Sequence, residues 1–385
     1  MLQTGLLLIT DITGYSKYVH QTELEHAQSS LAELLNLLID YTRSPLVLSK
    51  LEGDAVFSYA PTEGFLHGQT LVEMVETTYL AFRKALELMV RNTNCTCAAC
   101  RSLKDLDLKF FVHYGSFTIQ KLNEYRELLG NDVNLIHRLA KNHIREKTGF
   151  GAYTAYTQAV IDKMGLGEIA EGMISHSETF ADVGEVQLYV QNMHDVWERR
   201  ANEVRITAEK NNLMGGLEFD FPYPSEVMWQ YIIAPEFRSV INGSETQEFK
   251  DLSAGRAGIG SLYVCAHGKN QVLQPILDWE PFEQYTTSDL IMGAQLLHTI
   301  QVVPAGNGTK LKYTVGVLEI SPAKFLILKL MTRGLFVYKK TTFAKLRQRI
   351  DEDMADRGPF ITTESRISKE AVTEAVAAHL SVDES

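Results

Sequence analysis

Two acidic residues near the start of the chain could together hold divalent cations. Asp11 lies in TDITGYS, directly after the apolar run GLLLIT, and Asp54 lies in KLEGDAVF. Two carboxylates that converge on one site can hold a pair of metal ions, and such a pair could activate a ribose 3′-hydroxyl and brace a leaving pyrophosphate. Mg²⁺ prefers oxygen ligands of this kind. Each residue alone has a simpler interpretation, because Asp11 could merely begin a helix and Asp54 could merely form a turn.

The residues that follow Asp11 could contact the phosphates of a nucleotide. Ile12, Thr13, Gly14 and Tyr15 stand between a predicted strand and a predicted helix. Backbone N–H groups in that position can bind phosphate oxygens. Glycine at position 14 allows a ligand to approach the backbone closely.

The elements that must position these residues can be predicted from hydropathy patterns. Residues 5–10 predict a buried strand, and residues 46–60 predict a hairpin with a Gly-Asp turn. Further along come a helix over 70–91, a strand in LKFFVHYGSF, helices near 133–141 and 154–164, and a strand at 186–190. The order β-α-β-β-α-β is that of a ferredoxin-like core with added elements. Its sheet would place the first strand beside the hairpin, so we expect an α+β fold in which Asp11 and Asp54 meet.

Four segments in this order carry a resemblance to a known family. DITGYS, KLEGDAVF, VHYGSF and LLGNDVNLIHRLAK resemble successive blocks of class III adenylyl and guanylyl cyclase catalytic domains, over about residues 3–192. The resemblance implies a homodimer whose active sites are each built from both chains. It also implies that two Mg²⁺ or Mn²⁺ ions are held by Asp11, Ile12 and Asp54, and that Thr13, Gly14 and Tyr15 contact the substrate.

The resemblance also implies roles for four further residues. Lys50, in a K-x-x-G-D pattern, would favour adenine as the base. Asn134 would orient the ribose, and Arg138 would stabilise charge that develops on the phosphate, a task that suits a guanidinium. Glu127 stands where adenylyl cyclases usually have Asp or Thr, and it could still accept a hydrogen bond from the amino group of adenine. Taken alone, Asn134 and Arg138 could belong to an ordinary helix with a surface arginine.

One departure from the family pattern concerns the terminal phosphates. The last predicted strand, FADVGEVQLYV, lacks the lysine-rich segment that often grips them, and Ala181 or Val183 falls near that position. Lys141 or Arg145 could substitute. Three hypotheses follow: an adenylate cyclase that converts ATP to 3′,5′-cyclic AMP and pyrophosphate, a degenerate cyclase fold that binds nucleotide or dimerises, or a cyclase that uses another base.

Three cysteines form a separate cluster in a predicted loop. Cys95, Cys97 and Cys100 make a C-x-C-x-x-C pattern, which suits Zn²⁺ or an iron–sulfur centre. A fourth ligand is missing nearby in the sequence, since Cys265 belongs to the second half of the chain. A histidine or a partner chain could complete the site. The alternatives are reduced free thiols or a redox-sensitive disulfide.

The second half of the chain resembles another superfamily. FPYPSEVMWQYIIAPEFR and GSLYVCAHGKNQVLQPILDWEPFEQYTT resemble START-like, polyketide-cyclase-like (SRPBCC) proteins over about residues 216–350. The resemblance implies a helix-grip fold, with an antiparallel sheet, a long closing helix and an apolar cavity for a small ligand. The candidate pocket residues are Trp229, Tyr263, His267, Trp279 and Tyr285, and the alternative for each of them is simple core packing.

Length and composition fit two domains. The chain has 385 residues, of which 45% are hydrophobic, and a net charge of −11 that argues against general nucleic-acid binding. We expect a cyclase-like domain at 1–192, a connector helix at 193–215, a START-like domain at 216–356 and a polar tail at 357–385. No leader or membrane span is predicted, so we expect a cytoplasmic protein. A small apolar ligand in the second domain could regulate the dimer of the first.

Overall fold

The computed structural model describes residues 2–20, 24–41, 44–61, 64–92, 95, 97–122, 125–318 and 320–357. The chain divides into two compact units. The first contains the described residues up to Gly64 together with Leu71–Asn202, and the second contains Phe65–Thr70 and the described residues from Glu203 onward. Both units are mixtures of helices and a large sheet, so the predicted α+β class is correct.

The first unit is built on an eight-stranded sheet. Its strands run in the order β2-β3-β1-β4-β6-β8-β7, with β5 paired to β4. The strands are β1 (Leu2–Thr13), β2 (Val47–Glu52), β3 (Ala55–Pro61), β4 (Asp107–Leu122), β5 (Tyr125–Leu129), β6 (Tyr153–Thr157), β7 (Ile174–Phe180) and β8 (Gly184–Asn192). The helices are α1 (Tyr15–His20), α2 (Leu24–Tyr41), α3 (Gly68–Asn92), α4 (Ala98–Ser102), α5 (Asn131–Leu139), α6 (Ile144–Thr148), α7 (Gln158–Met164), α8 (Gly167–Ala170) and α9 (Met193–Ala201).

The first strand lies at the centre of this sheet because its side chains are apolar on both faces. Residues 6–9 are all buried, as expected for a strand covered on two sides. β1 pairs antiparallel with β3 on one side and with β4 on the other. The β2–β3 hairpin turns at Gly53, whose φ of +65° favours glycine. The hairpin therefore delivers the residue after Gly53 to the carboxyl end of β1.

The second unit is a seven-stranded antiparallel sheet with three helices. The strand order is β10-β11-β12-β13-β14-β15-β9. The strands are β9 (Gly215–Phe221), β10 (Thr246–Asp251), β11 (Leu262–His267), β12 (Asn270–Glu280), β13 (Gln284–Ile291), β14 (Ala294–Ala305) and β15 (Gly308–Val317). The helices are α10 (Ser225–Ile233), α11 (Pro235–Asn242) and α12 (Pro322–Arg357). α10, α11 and α12 all bury apolar residues in one core with the sheet.

Two predicted helices differ from the observed elements. The helix expected near 154–164 begins only at Gln158, because the preceding residues form β6 and pair with β4 and β8. The connector helix expected at 193–215 ends at Ala201. The chain after it is held in a non-helical path, since Arg205 forms ion pairs with Asp278 and Glu280 of β12. The strands β5, β7, β10 and β13 were not predicted, and the tail beyond Arg357 lies outside the described residues.

None of the described helices is long and apolar enough to cross a membrane.

Candidate functional site

The two carboxylates predicted to hold metal ions come from adjacent backbone segments. Asp11 is near the end of β1, directly opposite Ala55 of β3, and Asp54 immediately precedes Ala55 in the hairpin turn. The backbone N–H of Ile12 donates a hydrogen bond to the carbonyl oxygen of Asp54, with 3.2 Å between nitrogen and oxygen. The main-chain pairing of β1 with the hairpin therefore brings the two aspartates together.

The pKa shifts of the two aspartates also favour a cation site. Burial and repulsion from Asp11 raise the pKa of Asp54 to about 7. Burial also raises the pKa of Asp11. Attraction to Lys109, the residue opposite Asp11 on β4, works against that shift. Two half-buried carboxylates that repel each other are stabilised by any cation that binds between them. Ile12 is buried and apolar, so only its backbone oxygen could join such a set.

The connection after Asp11 is a strand–glycine–helix turn. Gly14 has a φ of +90°, and a Cβ placed on it would lie 3.2 Å from the carbonyl oxygen of Asp105. α1 begins at the next residue, Tyr15, which is buried, and the N–H of Tyr18 donates to the carbonyl of Gly14. Thr13 is half-buried. Glycine is thus required here by backbone conformation and by close packing.

Lys50 belongs to a small polar network on the hairpin. Its Nζ lies 2.9 Å from Glu52 Oε1, and the other oxygen of Glu52 lies 3.1 Å from His137 Nδ1 of α5. Burial would raise the pKa of Glu52, but hydrogen bonds from His137 and Lys50 outweigh it and lower that pKa. The side chain of Lys50 is partly exposed to solvent. Glu52 and His137 therefore tie the Lys50 region to α5.

The other predicted substrate contacts lie on β5 and α5. Glu127 is exposed on β5, opposite Gln120 of β4. Asn134 is exposed on α5, and its N–H donates to the carbonyl of Gly130 at the start of the helix. Both side chains are open to solvent, as groups that contact a diffusing ligand must be.

Arg138 already has an anionic partner. Its Nη2 lies 2.5 Å from Oδ2 of Asp182, in the turn between β7 and β8. Ala181 and Val183, which flank Asp182, are exposed. The position where the family resemblance leads one to expect a lysine-rich segment thus carries a carboxylate that binds the arginine. Lys141 and Arg145, the predicted substitutes, are both exposed.

A polar network fixes the start of α5 to β4. Oδ2 of Asp132 accepts hydrogen bonds from the N–H and the hydroxyl of Ser116, at 2.6 and 2.9 Å. Its Oδ1 lies 3.4 Å from Nε2 of His113, and Nδ1 of that buried histidine lies 2.9 Å from the Thr157 hydroxyl. Burial lowers the pKa of His113. This network orients the helix that carries Asn134 and Arg138.

The cysteine loop is folded so that its three thiols converge. The sulfur atoms of Cys95, Cys97 and Cys100 all lie within 4.8 Å of one another. Cys97 also caps α4, because its sulfur accepts a hydrogen bond from the N–H of Cys100 at 3.4 Å. Three converging thiols could bind a soft or borderline metal ion as thiolates, and a fourth ligand would complete a tetrahedral site.

The predicted pocket residues of the second unit fall into two groups. Tyr285 and His267 line a cavity of about 140 Å³ between the sheet, α11 and α12. Trp229, Tyr263 and Trp279 are not among its lining residues, and all three are buried. Trp229 and Trp279 form an edge-to-face pair with ring centroids 5.2 Å apart. Aromatic packing between α10 and the sheet accounts for these two tryptophans.

Sequence reasoning missed several charged residues that the fold brings to these sites. They are Lys109 beside the aspartate pair, Asp182 beside Arg138, and Arg238, Asp289, His298 and Lys339 in the cavity. Lys109 could have been found from strand register, since a residue opposite Asp11 on a neighbouring strand must lie near it. The others are far from their neighbours in sequence, and no local pattern indicates them.

Comparison with known proteins gives two sequence matches, both of them partial. A family described as a protein of unknown function (DUF2652) matches residues 31–148, a stretch that includes Asp54 and Arg138 but not Asp11. The uncharacterized protein Rv2561/Rv2562 of Mycobacterium tuberculosis is 35% identical over 117 residues, which cover 30% of this chain and 52% of that protein. The chain thus spans about half the length of this curated relative.

Solved cyclase structures are also similar to this chain at low identity. A bacterial light-regulated adenylyl cyclase is 14% identical with a TM-score of 0.37, over 52% of this chain and 57% of that chain. The guanylyl cyclase Cya2 is 12% identical with a TM-score of 0.37, over 49% of this chain and 92% of that chain. Scores of this size do not establish a common fold.

Proposed function

We propose that the first unit is a class III nucleotidyl cyclase domain that converts ATP to 3′,5′-cyclic AMP and pyrophosphate. The observation that carries the proposal is the juxtaposition of Asp11 and Asp54 through the hydrogen bond from the Ile12 N–H to the Asp54 carbonyl. Burial, together with repulsion from Asp11, raises the pKa of Asp54 to about 7. An enzyme of this kind is a phosphorus–oxygen lyase, and its product would serve in signal transduction.

The residues present fit a site for two divalent cations. The donor set consists of oxygen atoms from two carboxylates whose mutual repulsion a cation would relieve, which suits Mg²⁺ or Mn²⁺. When bound, such ions would activate the 3′-hydroxyl and stabilise charge on the leaving pyrophosphate. Asp11 and Asp54 would hold them, with the backbone oxygen of Ile12 as a further ligand.

The substrate would be oriented by residues on β2, β5 and α5. Lys50 and Glu127 would contact the base, and Lys50 would favour adenine. Asn134 would position the ribose, and Arg138 would donate hydrogen bonds to the phosphate in the transition state. Arg138 must exchange Asp182 for the phosphate. The free-energy cost of breaking this ion pair is small, because both of its partners are partly exposed.

The proposal extends to the arrangement of the chain. Residues 1–192 would form the cyclase domain, active as a homodimer with each site built from both chains. Residues 193–215 would connect it to a START-like ligand-binding domain at 216–356. A small molecule bound in that domain would alter the geometry of the cyclase dimer and hence its rate.

The test is a turnover assay on the whole chain. Purified protein is incubated with each of the four nucleoside triphosphates and Mn²⁺, and cyclic products are separated by chromatography. Cyclic AMP should form from ATP, and Asp54→Asn should abolish it because a neutral amide is a poor metal ligand. Asp251→Asn, an exposed aspartate in the second unit, is the matched control and should keep the wild-type rate. Activity that survives Asp54→Asn would contradict the proposal.

The second candidate function is a degenerate cyclase fold that binds nucleotide without turnover. Two observations favour it: Arg138 is engaged by Asp182, and the turn at 181–183 carries no lysine. This protein would show Mn²⁺-dependent binding of ATP in calorimetry, and Asp54→Asn would weaken that binding. No cyclic product would form from any of the four nucleotides.

We also propose that the cysteine loop binds Zn²⁺. The convergence of three sulfur atoms within 4.8 Å supports this, and a histidine or a partner chain would supply the fourth ligand. Co²⁺ substituted for Zn²⁺ should give the absorption bands of thiolate coordination, and Cys97→Ser should remove them. Equal absorption in Cys97→Ser and wild-type protein would exclude the site. Formation of a Cys–Cys disulfide in air without metal uptake would favour the redox alternative.

A further inference from the structure

The cavity of the second unit has a composition that an apolar ligand does not explain. Its lining includes two basic side chains, Arg238 on α11 and Lys339 on α12, together with Asp289 on β13 and His298 on β14. Arg238 is only 3% exposed and Lys339 only 6%. Buried cations are rare unless an anion compensates them, because removing a charge from water costs several kcal/mol.

The two cations have no anionic partner of their own among the described residues. Arg238 lies over the rings of Tyr263 and Tyr285, at 4.0 and 4.9 Å from their centroids, and donates to Gln274 Oε1 at 3.2 Å. Lys339 donates to the carbonyl of Ile241 at 2.9 Å and to Asn242 Oδ1 at 3.1 Å. These partners are neutral, so they accept hydrogen bonds or contact the cations without balancing the two positive charges.

The acidic residue in the cavity is engaged elsewhere. Asp289 Oδ1 accepts a hydrogen bond from Gln274 at 2.8 Å, and Oδ2 lies 3.3 Å from Nε2 of His298. Arg238, Lys339 and Asp289 together give the cavity two positive charges and one negative charge. Burial, followed by repulsion from Arg238, lowers the pKa of Lys339 to about 8, and attraction to Asp289 does not cancel that shift. The cavity therefore has an excess of positive charge.

The rest of the lining combines apolar and aromatic side chains with the polar residues Asn242, Gln274 and Thr287. Ile300, Leu335 and the ring of Tyr313 lie on the cavity wall. His267 and Tyr338 also line it and are exposed, so the cavity meets solvent at their side. Its volume of about 140 Å³ is close to that of an apolar cavity known to hold benzene, at about 150 Å³. A ligand of this size with one anionic group and a small apolar body would fit.

We propose that this cavity binds a small organic monocarboxylate, with the carboxylate between Arg238 and Lys339 and the apolar body against Ile300 and Leu335. The carboxylate supplies the negative charge that the two cations lack, through charge-assisted hydrogen bonds. The proposal replaces the apolar ligand expected from sequence. It stands independently of cyclase activity in the first unit.

The test is calorimetric titration of the full chain with two carboxylates, benzoate and hexanoate, each compared with its neutral amide. At least one acid should bind at least about tenfold more tightly than its amide, since one charge-assisted interaction is worth that factor. Lys339→Met should lose this preference while it binds the amide as wild-type protein does. Lys340→Met, the exposed neighbouring lysine, should behave as wild type.

Several outcomes would overturn the proposal. Equal binding of acid and amide would mean that the cavity selects apolar shape alone. Inorganic phosphate that binds in a Lys339-dependent manner, without binding of either acid, would identify an inorganic-anion site instead. If Lys339→Met does not fold, the ratio of acid to amide affinity in wild-type protein decides the matter, and a ratio near one contradicts the inference.

Discussion

At the scale of single residues, the candidate sites differ in whether a charged side chain has a partner of opposite charge. Asp11 on β1 and Asp54 in the neighbouring hairpin turn repel each other, and Arg238 and Lys339 line a cavity together with one carboxylate, that of Asp289. Both arrangements cost stability in the free protein, and both would be relieved by a ligand of opposite charge. Arg138, in contrast, is paired with Asp182 in the free chain.

The Arg138–Asp182 pair gives the first prediction. If Arg138 acts on the phosphate of ATP, Asp182→Asn should raise kcat/KM for cyclic AMP formation by up to about fivefold, because an exposed ion pair of this kind is worth at most about 1 kcal/mol. Steady-state kinetics with Mn²⁺ and ATP would measure the change. The matched control is Glu185→Gln, which neutralises an exposed carboxylate of the same hairpin and should leave kcat/KM unchanged. An equal gain from both substitutions would contradict the prediction.

At the scale of elements, the start of α5 is the junction on which the candidate active site depends. Asp132 connects this helix to β4 through Ser116 and His113. The hydrogen bonds of Asp132 lower its pKa despite the opposing effect of burial, so the carboxylate is ionised in the folded protein. The spacing of Asn134 and Arg138 follows from helix geometry alone, but the contacts of Asp132 with β4 set the position of the helix over the sheet.

The second prediction concerns this junction. Asp132→Ala should lower the free energy of unfolding by about 1–3 kcal/mol, because the N–H and hydroxyl of Ser116 lose their acceptor. Urea denaturation would measure the difference. The matched control is Asp162→Ala, which removes an exposed carboxylate from α7 and should change stability much less. Equal effects of the two substitutions would show that Asp132 does not anchor the helix.

At the scale of the whole molecule, the chain combines two units with different chemistry. The first places carboxylates at the junction of β1 and a hairpin, and the second encloses a positively charged cavity between a sheet and helices. If each cyclase site takes its metal-binding aspartates from one chain and Arg138 from the partner, then Asp54 and Arg138 of one chain serve different sites in the dimer. That arrangement can be tested without a structure of the dimer.

The third prediction is complementation between two inactive chains. Asp54→Asn and Arg138→Ala should each be inactive alone. Mixed in equal amounts under conditions that allow subunit exchange, they should recover about a quarter of the wild-type rate, because half of the dimers then contain one intact site of two. Cyclic AMP formation measures the recovery. If both variants are inactive and the mixture also stays inactive, the site is not shared between chains.

Part of the fold could be predicted from local patterns alone. The apolar run at 5–10, the hairpin with its Gly-Asp turn and the long helix α3 follow from hydropathy period and turn residues, whereas the long closing helix was implied by the family resemblance. The segment at 154–157 was assigned to the wrong class because its pairing partners, β4 and β8, decide its conformation. The path after Ala201 was wrong for a similar reason, since Arg205 binds acidic residues more than 70 positions away.

The sequence by itself determined that Asp11 and Asp54 would meet, because one residue lies near the end of a buried strand and the other lies in the turn that leads into the strand paired with it. Only the tertiary structure decided that Asp182 would engage Arg138 and that Arg238 and Lys339 would share one cavity. Arg138 and Asp182 are 44 residues apart in the sequence, and Arg238 and Lys339 are about a hundred residues apart. No hydropathy pattern links residues at such separations. The physical reason is that strand pairing is encoded in local patterns of apolar and turn residues, whereas the meeting of distant charges depends on how whole elements pack.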